Sequence, residues 1–309
     1  MSLRNRDFLT LEEAGREELR EILNLARDVA AGRLASPLVG KTVCLAFFEA
    51  STRTASSFEL AARRCGADVI SLSESGSAIS KGESLIDTVV TLECLGADAI
   101  VLRHPAAGAA TLAARHTGAA LVNAGDGCGQ HPTQALLDLY ALSEAFGGFE
   151  DLAGRRVAIA GDVLHSRVAR SVIPAFQTAG MEVALAAPRT LLPLETGAWD
   201  LPVLPSVDAA LEWGAGVLYM LRLQNERMTG DSPRIPSVAE YGAYYGVARR
   251  HLRRGVRVMH PGPVNRGVEI SGDVVLDDAS LIPSQVAAGI AVRSAVLTLA
   301  TGVAHEVAA

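Results

Sequence analysis

Short apolar runs alternate with helix-like segments through the first half of the chain. Apolar residues recur at helical spacing between residues 19 and 29, behind a Thr10–Glu13 capping box, so the first predicted element is a helix. The runs "KTVCLAFF", "ADVIS", "DAIVLR" and "AALVNA" follow, with helices predicted from about Arg53, from Glu83, near 107–116 and from Pro132. Continuous apolar strands separated by helices predict a parallel sheet covered on both faces.

The same alternation restarts in the second half. The segment "GGFEDLAG", residues 147–154, interrupts the pattern with glycines and charges, so we place a domain boundary there. The later strand-like runs are "RRVAIAG", "MEVALAA", "GVLYM" and "VRVMH", with helices from about Ser166, near "SVDAALEW", near 237–253 and from about Pro283. The expected fold is α/β, with two doubly wound parallel-sheet domains linked by helices.

Polar side chains collect where the predicted strands end. Ligands bind at the carboxyl ends of the strands in open α/β sheets, so these segments form the candidate site. They are Glu49–Thr54, Ser73–Lys81, Arg103–His104, Asn123–Gln134, Asp162–Arg167, Arg222–Arg227 and His260–Arg266.

The segment "STRT", from Ser51 to Thr54, supplies more donors than a helix cap requires. A single hydroxyl satisfies an N-cap, which is the commoner use of Ser or Thr at a helix start. Here hydroxyls and a guanidinium occur together beside the first free N–H groups of a predicted helix, and that combination favours an anion such as a phosphate. The sequence has no GxxxxGK pattern, so a nucleotide-binding P-loop is not indicated.

Other candidate residues each have an ordinary structural explanation as well. Lys81 in "SKGES" fits a solvated surface lysine, and His131 in "GQHPTQ" fits a histidine packed at a helix entry. Arg103 completes an apolar strand and must leave the core edge to reach an anion or an acid, so an ion pair is its ordinary alternative. These segments alone leave both interpretations open.

Composition confines any anion site to a local cluster. The net charge of −6 repels polyanions, and no basic stripe for nucleic acid is present. The 4 cysteines include no CxxC pair, so neither a zinc site nor a disulfide framework is predicted. The most apolar tract contains Gln285 and Arg293, which favours a buried helix over a membrane span. The N-terminus lacks the apolar core of a signal peptide, so the expected location is cytoplasmic.

Taken in order, the motifs resemble the aspartate carbamoyltransferase family over nearly the whole chain. They are "FFEASTRT", "SKGES", "RHP", "NAGDGCGQHPTQ", "LYMLRLQNER" and "MHPGPVNRGVEI". The resemblance implies transfer of the carbamoyl group of carbamoyl phosphate to L-aspartate in pyrimidine biosynthesis, with no metal and no cofactor. It also implies a carbamoyl phosphate domain, residues 1–148 with a C-terminal helix, 284–309, packing back on it, and an aspartate domain, residues 149–283.

The resemblance further implies a role for each candidate residue. The catalytic residues would be Arg53, Thr54, Lys81, Arg103 and His131. Carbamoyl phosphate would contact Ser51, Thr52, Arg53, Thr54, Ser77, Lys81, Arg103, His131, Gln134, Gly262 and Pro263. Aspartate would contact Lys81, Arg167, Arg222 and Gln224. In the family, the residues matching Ser77 and Lys81 enter from a neighbouring subunit, so the active unit would be a homotrimer.

Rival functions differ from this one in particular motifs. An ornithine-type carbamoyltransferase shares the phosphate half, but it is expected to carry "HCLP"-like and "SMG"-like motifs, whereas this chain has "HPGP" and the pair Arg167 and Arg222. A nicotinamide oxidoreductase is expected to carry a GxGxxG motif after a strand, whereas "IAGDVLHSRVAR" has a single glycine. A carbamoyltransferase for another amine and a non-catalytic paralogue with an assembly role remain alternatives.

Ala55 and Val168 depart from residues common in the family. The sequence leaves open whether a regulatory chain or a dihydroorotase partner binds.

Overall fold

Two units, each built on a parallel sheet, make up the fold. The computed structural model describes residues 7–73, 83–194, 199–224, 235, 237–252 and 255–302. Unit 1 comprises residues up to Leu137 together with residues from Ala287 onwards, and unit 2 runs from Asp138 to Val286. The predicted α/β class with doubly wound parallel sheets is confirmed.

The helices and strands alternate along the chain. The strands are β1 (Thr42–Phe47), β2 (Asp68–Ser73), β3 (Ala99–His104), β4 (Ala120–Asp126), β5 (Arg156–Ala160), β6 (Glu182–Ala186), β7 (Val203–Leu204), β8 (Val217–Met220) and β9 (Arg257–Met259). The helices are α1 (Arg16–Ala30), α2 (Thr52–Arg64), α3 (Leu85–Cys94), α4 (Ala109–Ala114), α5 (Pro132–Phe146), α6 (Arg167–Thr178), α7 (Val207–Glu212), α8 (Val238–Tyr245) and α9 (Ile282–Ala300).

The sheet of unit 1 has the order β2-β1-β3-β4, and its strands pair in parallel. β1 and β3 lie in the interior of the sheet, and their side chains are buried on both faces. Cys44 and Ile100 from these strands pack with Val89 and Leu92 of α3 in one apolar cluster. This burial explains why the strands appear in the sequence as continuous apolar runs rather than alternating ones.

Helix α9 packs its C-terminal half on α2 within unit 1, as predicted. Arg293 donates from Nη1 to Ser57 Oγ at 2.6 Å, and its guanidinium lies 5.1 Å from the ring centre of Phe58. Ser294 Oγ donates to the carbonyl of Ala61 at 3.4 Å. Among the described residues, α9 alone is long and apolar enough to cross a membrane, but 67% of its apolar window is buried in the protein, as in a core helix.

The sheet of unit 2 has the order β7-β6-β5-β8-β9, again with parallel pairing. β5 and β8 hold the centre, and every residue of β8 is buried. Ala158 and Leu218 from these two strands join Val258 of β9 and Val207 of α7 in one apolar cluster of the unit. The core of unit 2 therefore fixes the ends of β5, β8 and β9, where polar segments begin.

Some local predictions were wrong. Thr10 Oγ1 accepts from Glu12 N–H at 3.1 Å and caps no helix, because α1 begins later, where Gly15 N–H donates to Glu18 Oε2 at 3.0 Å. The helix expected near 237–253 ends at Tyr245, since the next residue, Gly246, has an extended backbone with ψ 147°. β7 was not predicted because Val203 and Leu204 form an apolar run of two residues between Pro202 and Pro205, which is too short to indicate a strand.

Candidate active site

Each sheet has a switch point where the strand order reverses, and predicted site residues follow the strands that meet there. In unit 1, β1 lies beside β3, with Phe47 paired to Arg103. In unit 2, β5 lies beside β8, with Ala160 paired to Met220. "STRT" follows β1 and Arg103 lies at the end of β3, while Arg167 and Arg222 come after β5 and β8. Such switch points are the usual ligand sites of open α/β sheets.

"STRT" forms the start of α2 but does not act as a side-chain cap. Ser51 occupies the N-cap position with an extended backbone, φ −160° and ψ 91°, and in the described structure its hydroxyl makes no capping bond. Thr52 and Arg53 are exposed in the first turn, and Thr54 is buried. The cap explanation accounts for where Ser51 lies, but it leaves the hydroxyl unused. An anion at the N-terminus of α2 would use the hydroxyl, the guanidinium and the helix N–H groups together.

Arg103 is held at the edge of the core by an ion pair. Its Nη2 donates to Glu49 Oε1 at 3.1 Å, and its Nη1 donates to the carbonyl of Ala124 at 3.3 Å. The arginine side chain is 9% exposed and that of Glu49 is 26% exposed. The ordinary explanation for Arg103 is thus observed. An anion that binds Arg103 would compete with the Glu49 carboxylate. Water already weakens the ion pair between Glu49 and Arg103, because the carboxylate is partly solvated.

A glycine-rich loop presents His131 and Gln134 at the start of α5. Both side chains are buried, and Gln134 N–H donates to the carbonyl of His131 at 3.0 Å. Asp126 organises the loop: its Oδ1 accepts from Gln130 N–H at 2.7 Å and its Oδ2 from Gly108 N–H at 2.6 Å. Asp126 lies in the candidate segment Asn123–Gln134, but the sequence predicted no role for it. The available signal was an acid between glycines, which favours a turn closed by a side chain.

Asp162 ties together the two segments that carry the arginine pair of unit 2. This fully buried carboxylate follows β5; its Oδ2 accepts from Gln224 N–H at 3.2 Å and its Oδ1 lies 2.8 Å from His165 Nδ1. Arg167 begins α6 two residues after His165, and Arg222 lies two residues before Gln224. The segments that carry Arg167, Arg222 and Gln224 thus meet at one buried carboxylate within unit 2.

A second buried carboxylate, Glu269, holds the loop that follows β9. Its Oε1 accepts from Leu223 N–H at 2.8 Å, and its Oε2 accepts from Asn265 N–H at 2.8 Å. Burial raises the pKa of Glu269, and these hydrogen bonds oppose that rise. Leu223 lies between Arg222 and Gln224, so Glu269 also fixes the end of the segment after β8. The sequence placed Asp162 in a candidate segment but predicted no role for it, and nothing singled out Glu269; both are lone acids beside apolar residues.

The structure describes every predicted site residue except Ser77 and Lys81, which lie outside the described residues. Unit 1 carries Ser51, Thr52, Arg53, Thr54, Arg103, His131 and Gln134 at the carboxyl ends of its strands. Unit 2 carries Arg167, Arg222, Gln224, Gly262 and Pro263 at the carboxyl ends of its strands. Each unit therefore presents a polar cluster of its own.

Family models match both halves of the chain. Residues 6–144 match the carbamoyl-P binding domain of aspartate/ornithine carbamoyltransferase, and residues 153–300 match the Asp/Orn binding domain. The aspartate carbamoyltransferase catalytic subunit of Rubrobacter xylanophilus is 79% identical over 304 residues, covering 98% of this chain and 99% of that protein.

Solved structures of aspartate transcarbamoylase share the fold. The Trypanosoma cruzi enzyme in complex with carbamoyl aspartate and phosphate has a TM-score of 0.84 at 29% identity, covering 96% of this chain and 96% of that one. The same enzyme in complex with carbamoyl phosphate and aspartate has a TM-score of 0.83 at 29% identity, covering 96% and 97%.

Proposed function

Because the chain belongs to the aspartate/ornithine carbamoyltransferase family, we propose that it transfers the carbamoyl group of carbamoyl phosphate to the amino group of L-aspartate. The products are N-carbamoyl-L-aspartate and phosphate. The observation that carries the choice of acceptor is the arginine pair of unit 2, Arg167 and Arg222, on segments joined by Asp162. Two guanidinium groups suit the two carboxylates of aspartate, since each can bind a carboxylate through two parallel hydrogen bonds.

The N-terminus of α2 binds the phosphate of carbamoyl phosphate. Ser51, Thr52, Arg53 and Thr54 offer hydroxyl, guanidinium and backbone donors at one helix end. Each charge-assisted hydrogen bond contributes about 1.5–3 kcal/mol, so a few of them give about micromolar affinity. This local cluster binds an anion although the whole chain carries a net charge of −6.

Three donors stabilise the carbonyl oxygen as the amine attacks. Thr54, Arg103 and His131 supply them, and Gln134 with the backbone of Gly262–Pro263 holds the carbamoyl NH₂. As the C–N bond forms, negative charge develops on that oxygen, and removing one fixed donor from such a position typically costs about 10²–10³ in rate. The C–O bond to phosphate then breaks, and a departing phosphate oxygen accepts the proton lost by the amine.

The same arginines disfavour a cationic acceptor. Arg167 and Arg222, supported by the neutral amide of Gln224, meet aspartate with positive charge, which attracts its carboxylates and repels the side-chain ammonium of ornithine. Arg167 is buried, so water screens its charge only weakly. Aspartate is therefore the acceptor, and the reaction is a step of pyrimidine biosynthesis in the cytoplasm.

Ser77 and Lys81 act in the site of a neighbouring subunit, so the active assembly is a homotrimer. A subunit-exchange experiment tests this sharing. Lys81→Ala and Arg53→Ala proteins should each be inactive alone, and a mixture allowed to exchange subunits should recover about a quarter of wild-type activity or less, because only some sites combine two intact halves. Mixtures that exchange subunits, as shown by a mass tag, and still recover nothing would refute sharing. Native mass spectrometry of the wild type gives the subunit count directly.

A ureido-product assay tests the proposed reaction. Purified protein is incubated with carbamoyl phosphate and with aspartate, ornithine or oxamate in parallel. We expect product with aspartate at a rate at least about 100-fold above that with ornithine, which corresponds to about 2.7 kcal/mol of discrimination. Product with ornithine or oxamate but none with aspartate would overturn the assignment of the acceptor. Absence of product with all three acceptors would favour a non-catalytic paralogue.

A further inference from the structure

A chain of buried hydrogen bonds runs through unit 2 and uses residues that the reaction does not touch. Asp138 is fully buried on α5. Its Oδ2 accepts from Tyr219 Oη at 2.5 Å, and its Oδ1 accepts from Gln285 Nε2 at 2.7 Å. Tyr219 lies in β8 and Gln285 lies near the start of α9, so one carboxylate joins three elements. Burying these polar groups is tolerated only because they pair with one another.

Gln285 has one amide orientation that satisfies both of its neighbours. Its Nε2 faces the Asp138 carboxylate, and its Oε1 accepts from the backbone N–H of His260 at 3.0 Å. Asp138 can only accept from Gln285 while it is ionised, and the backbone N–H can only donate. Turning the amide over would set a donor against a donor and an acceptor against an acceptor. Asp138 therefore holds the amide in the orientation that binds His260.

The hydrogen bond between Gln285 and His260 lies at the start of the turn that follows β9. His260 is the first residue beyond Met259, where the strand ends. Its ring Nδ1 accepts from Gly262 N–H at 2.7 Å, and Gly262 has a left-handed backbone with φ +68°. Two successive hydrogen bonds thus lead from Gln285 to the Gly262–Pro263 backbone.

We propose that Gln285 is a positioning residue for carbamoyl phosphate, held by Asp138 so that it fixes the Gly262–Pro263 backbone through His260. The inference rests on the proposed function, in which that backbone holds the carbamoyl NH₂. Gln285 makes no contact with substrate in this account. Its effect is to keep the turn in place before the substrate binds, which avoids an ordering cost during binding.

The test replaces Gln285 with a side chain of similar length that makes neither hydrogen bond. Gln285→Met should raise the KM for carbamoyl phosphate about 3- to 10-fold, the range expected for loss of one net hydrogen bond. The KM for aspartate at saturating carbamoyl phosphate should stay within about twofold. The matched control is Ser143→Ala, which removes a buried hydrogen bond on α5, from Ser143 Oγ to the Tyr140 carbonyl at 2.8 Å, in the same unit. Its KM values should both stay near those of the wild type.

A second variant keeps the test decisive if Gln285→Met folds poorly. In Gln285→Glu, a protonated carboxyl can still donate to Asp138 and accept from His260, whereas an ionised one faces the Asp138 carboxylate. Among the described residues, Asp138 and the Tyr219 hydroxyl bonded to it lie on that side, and His260, whose Nε2 is 3.9 Å from Glu269 Oε2, is on the other. The KM for carbamoyl phosphate, relative to the wild type, should fall towards one as the pH is lowered from about 8.5 to about 6.5, because the neighbouring carboxylate raises the pKa of the introduced acid.

The outcomes separate this inference from the proposed function. If wild-type protein forms carbamoyl aspartate but Gln285→Met leaves the KM for carbamoyl phosphate unchanged, the positioning role is wrong. It is equally wrong if both KM values rise together, or if the relative KM of Gln285→Glu does not change with pH. If the wild type itself forms no carbamoyl aspartate, the proposed function fails first.

Discussion

Replacing Asp162 with asparagine should weaken aspartate binding without touching the phosphate half. The carboxylate receives the N–H of Gln224 at 3.2 Å on Oδ2 and the N–H of His165 at 3.2 Å on Oδ1. Asparagine retains one oxygen, so its NH₂ group must face one of these backbone donors. The segment carrying Arg222 or the one leading to Arg167 then loses its anchor.

The size of the effect follows from the burial of the group. Asp162 is 0% exposed, so water cannot replace the lost acceptor. A hydrogen bond to a charged group contributes about 1.5–3 kcal/mol. If most of that free energy serves to order the segments that carry Arg167 and Arg222, its loss raises the KM for aspartate about 10- to 100-fold at 25 °C, since 1.4 kcal/mol is a factor of ten.

The assay varies aspartate at saturating carbamoyl phosphate and then varies carbamoyl phosphate at saturating aspartate. Asp208→Asn is the matched control: it makes the same chemical change in unit 2, but its side chain is 62% exposed beside His251. We expect the control to be near wild type, because Asp208 is mostly solvated and burial lowers the pKa of its partner His251, so the contact is no buried ion pair. An unchanged KM for aspartate in folded Asp162→Asn, or an equal rise in both KM values, would refute the anchoring role.

The remaining predictions concern one hydroxyl and one buried acid. Ser51→Ala should raise the KM for carbamoyl phosphate while changing the free energy of unfolding by less than about 0.5 kcal/mol, because Ser51 does not cap α2. The control, Ser206→Ala, removes a true cap bond from Ala209 N–H at 3.0 Å. It should lower the free energy of unfolding by about 1 kcal/mol and leave the KM unchanged. Urea unfolding and steady-state kinetics separate the two, and the reverse pattern would contradict the anion assignment. Burial raises the pKa of Glu269 above its usual 4.5, so the native state binds the proton more tightly than the unfolded chain does. The free energy of unfolding should therefore fall as the pH rises from about 4.5 through the raised pKa. Glu269→Gln should lose that fall, and equal pH dependence in the two proteins would show that Glu269 does not cause it.

The sequence predicted the strands well because their burial is uniform. The runs "KTVCLAFF" and "RRVAIAG" form interior strands whose two faces are both covered. Their residues are therefore apolar without alternation between apolar and polar positions, which makes the strands easy to recognise. Where a local signal was weak, prediction failed. Thr10 and Glu13 matched a capping box, yet the Glu18 carboxylate binds the N–H of Gly15, a residue without a side chain to form a cap.

The candidate anion-binding groups could be predicted from the sequence, whereas the residues that support them could not. Arg103 and "STRT" stand out because charge or surplus hydroxyls at a strand end need an explanation. Asp162 and Glu269 look like isolated acids, since their partners are backbone N–H groups that any residue carries. Only the fold brings those donors to one point, and no residue type in the sequence marks them.

The route of the chain between the units has a consequence for how the protein is made. Unit 1 includes residues from Ala287 onwards, and Arg293 and Ser294 of α9 bond to Ser57 and to the carbonyl of Ala61 on α2. During synthesis, α2 therefore cannot pack against α9 until unit 2 has left the ribosome. The half of the protein made first is completed last, and until then the face of α2 that α9 covers is open to chaperones and to other nascent chains.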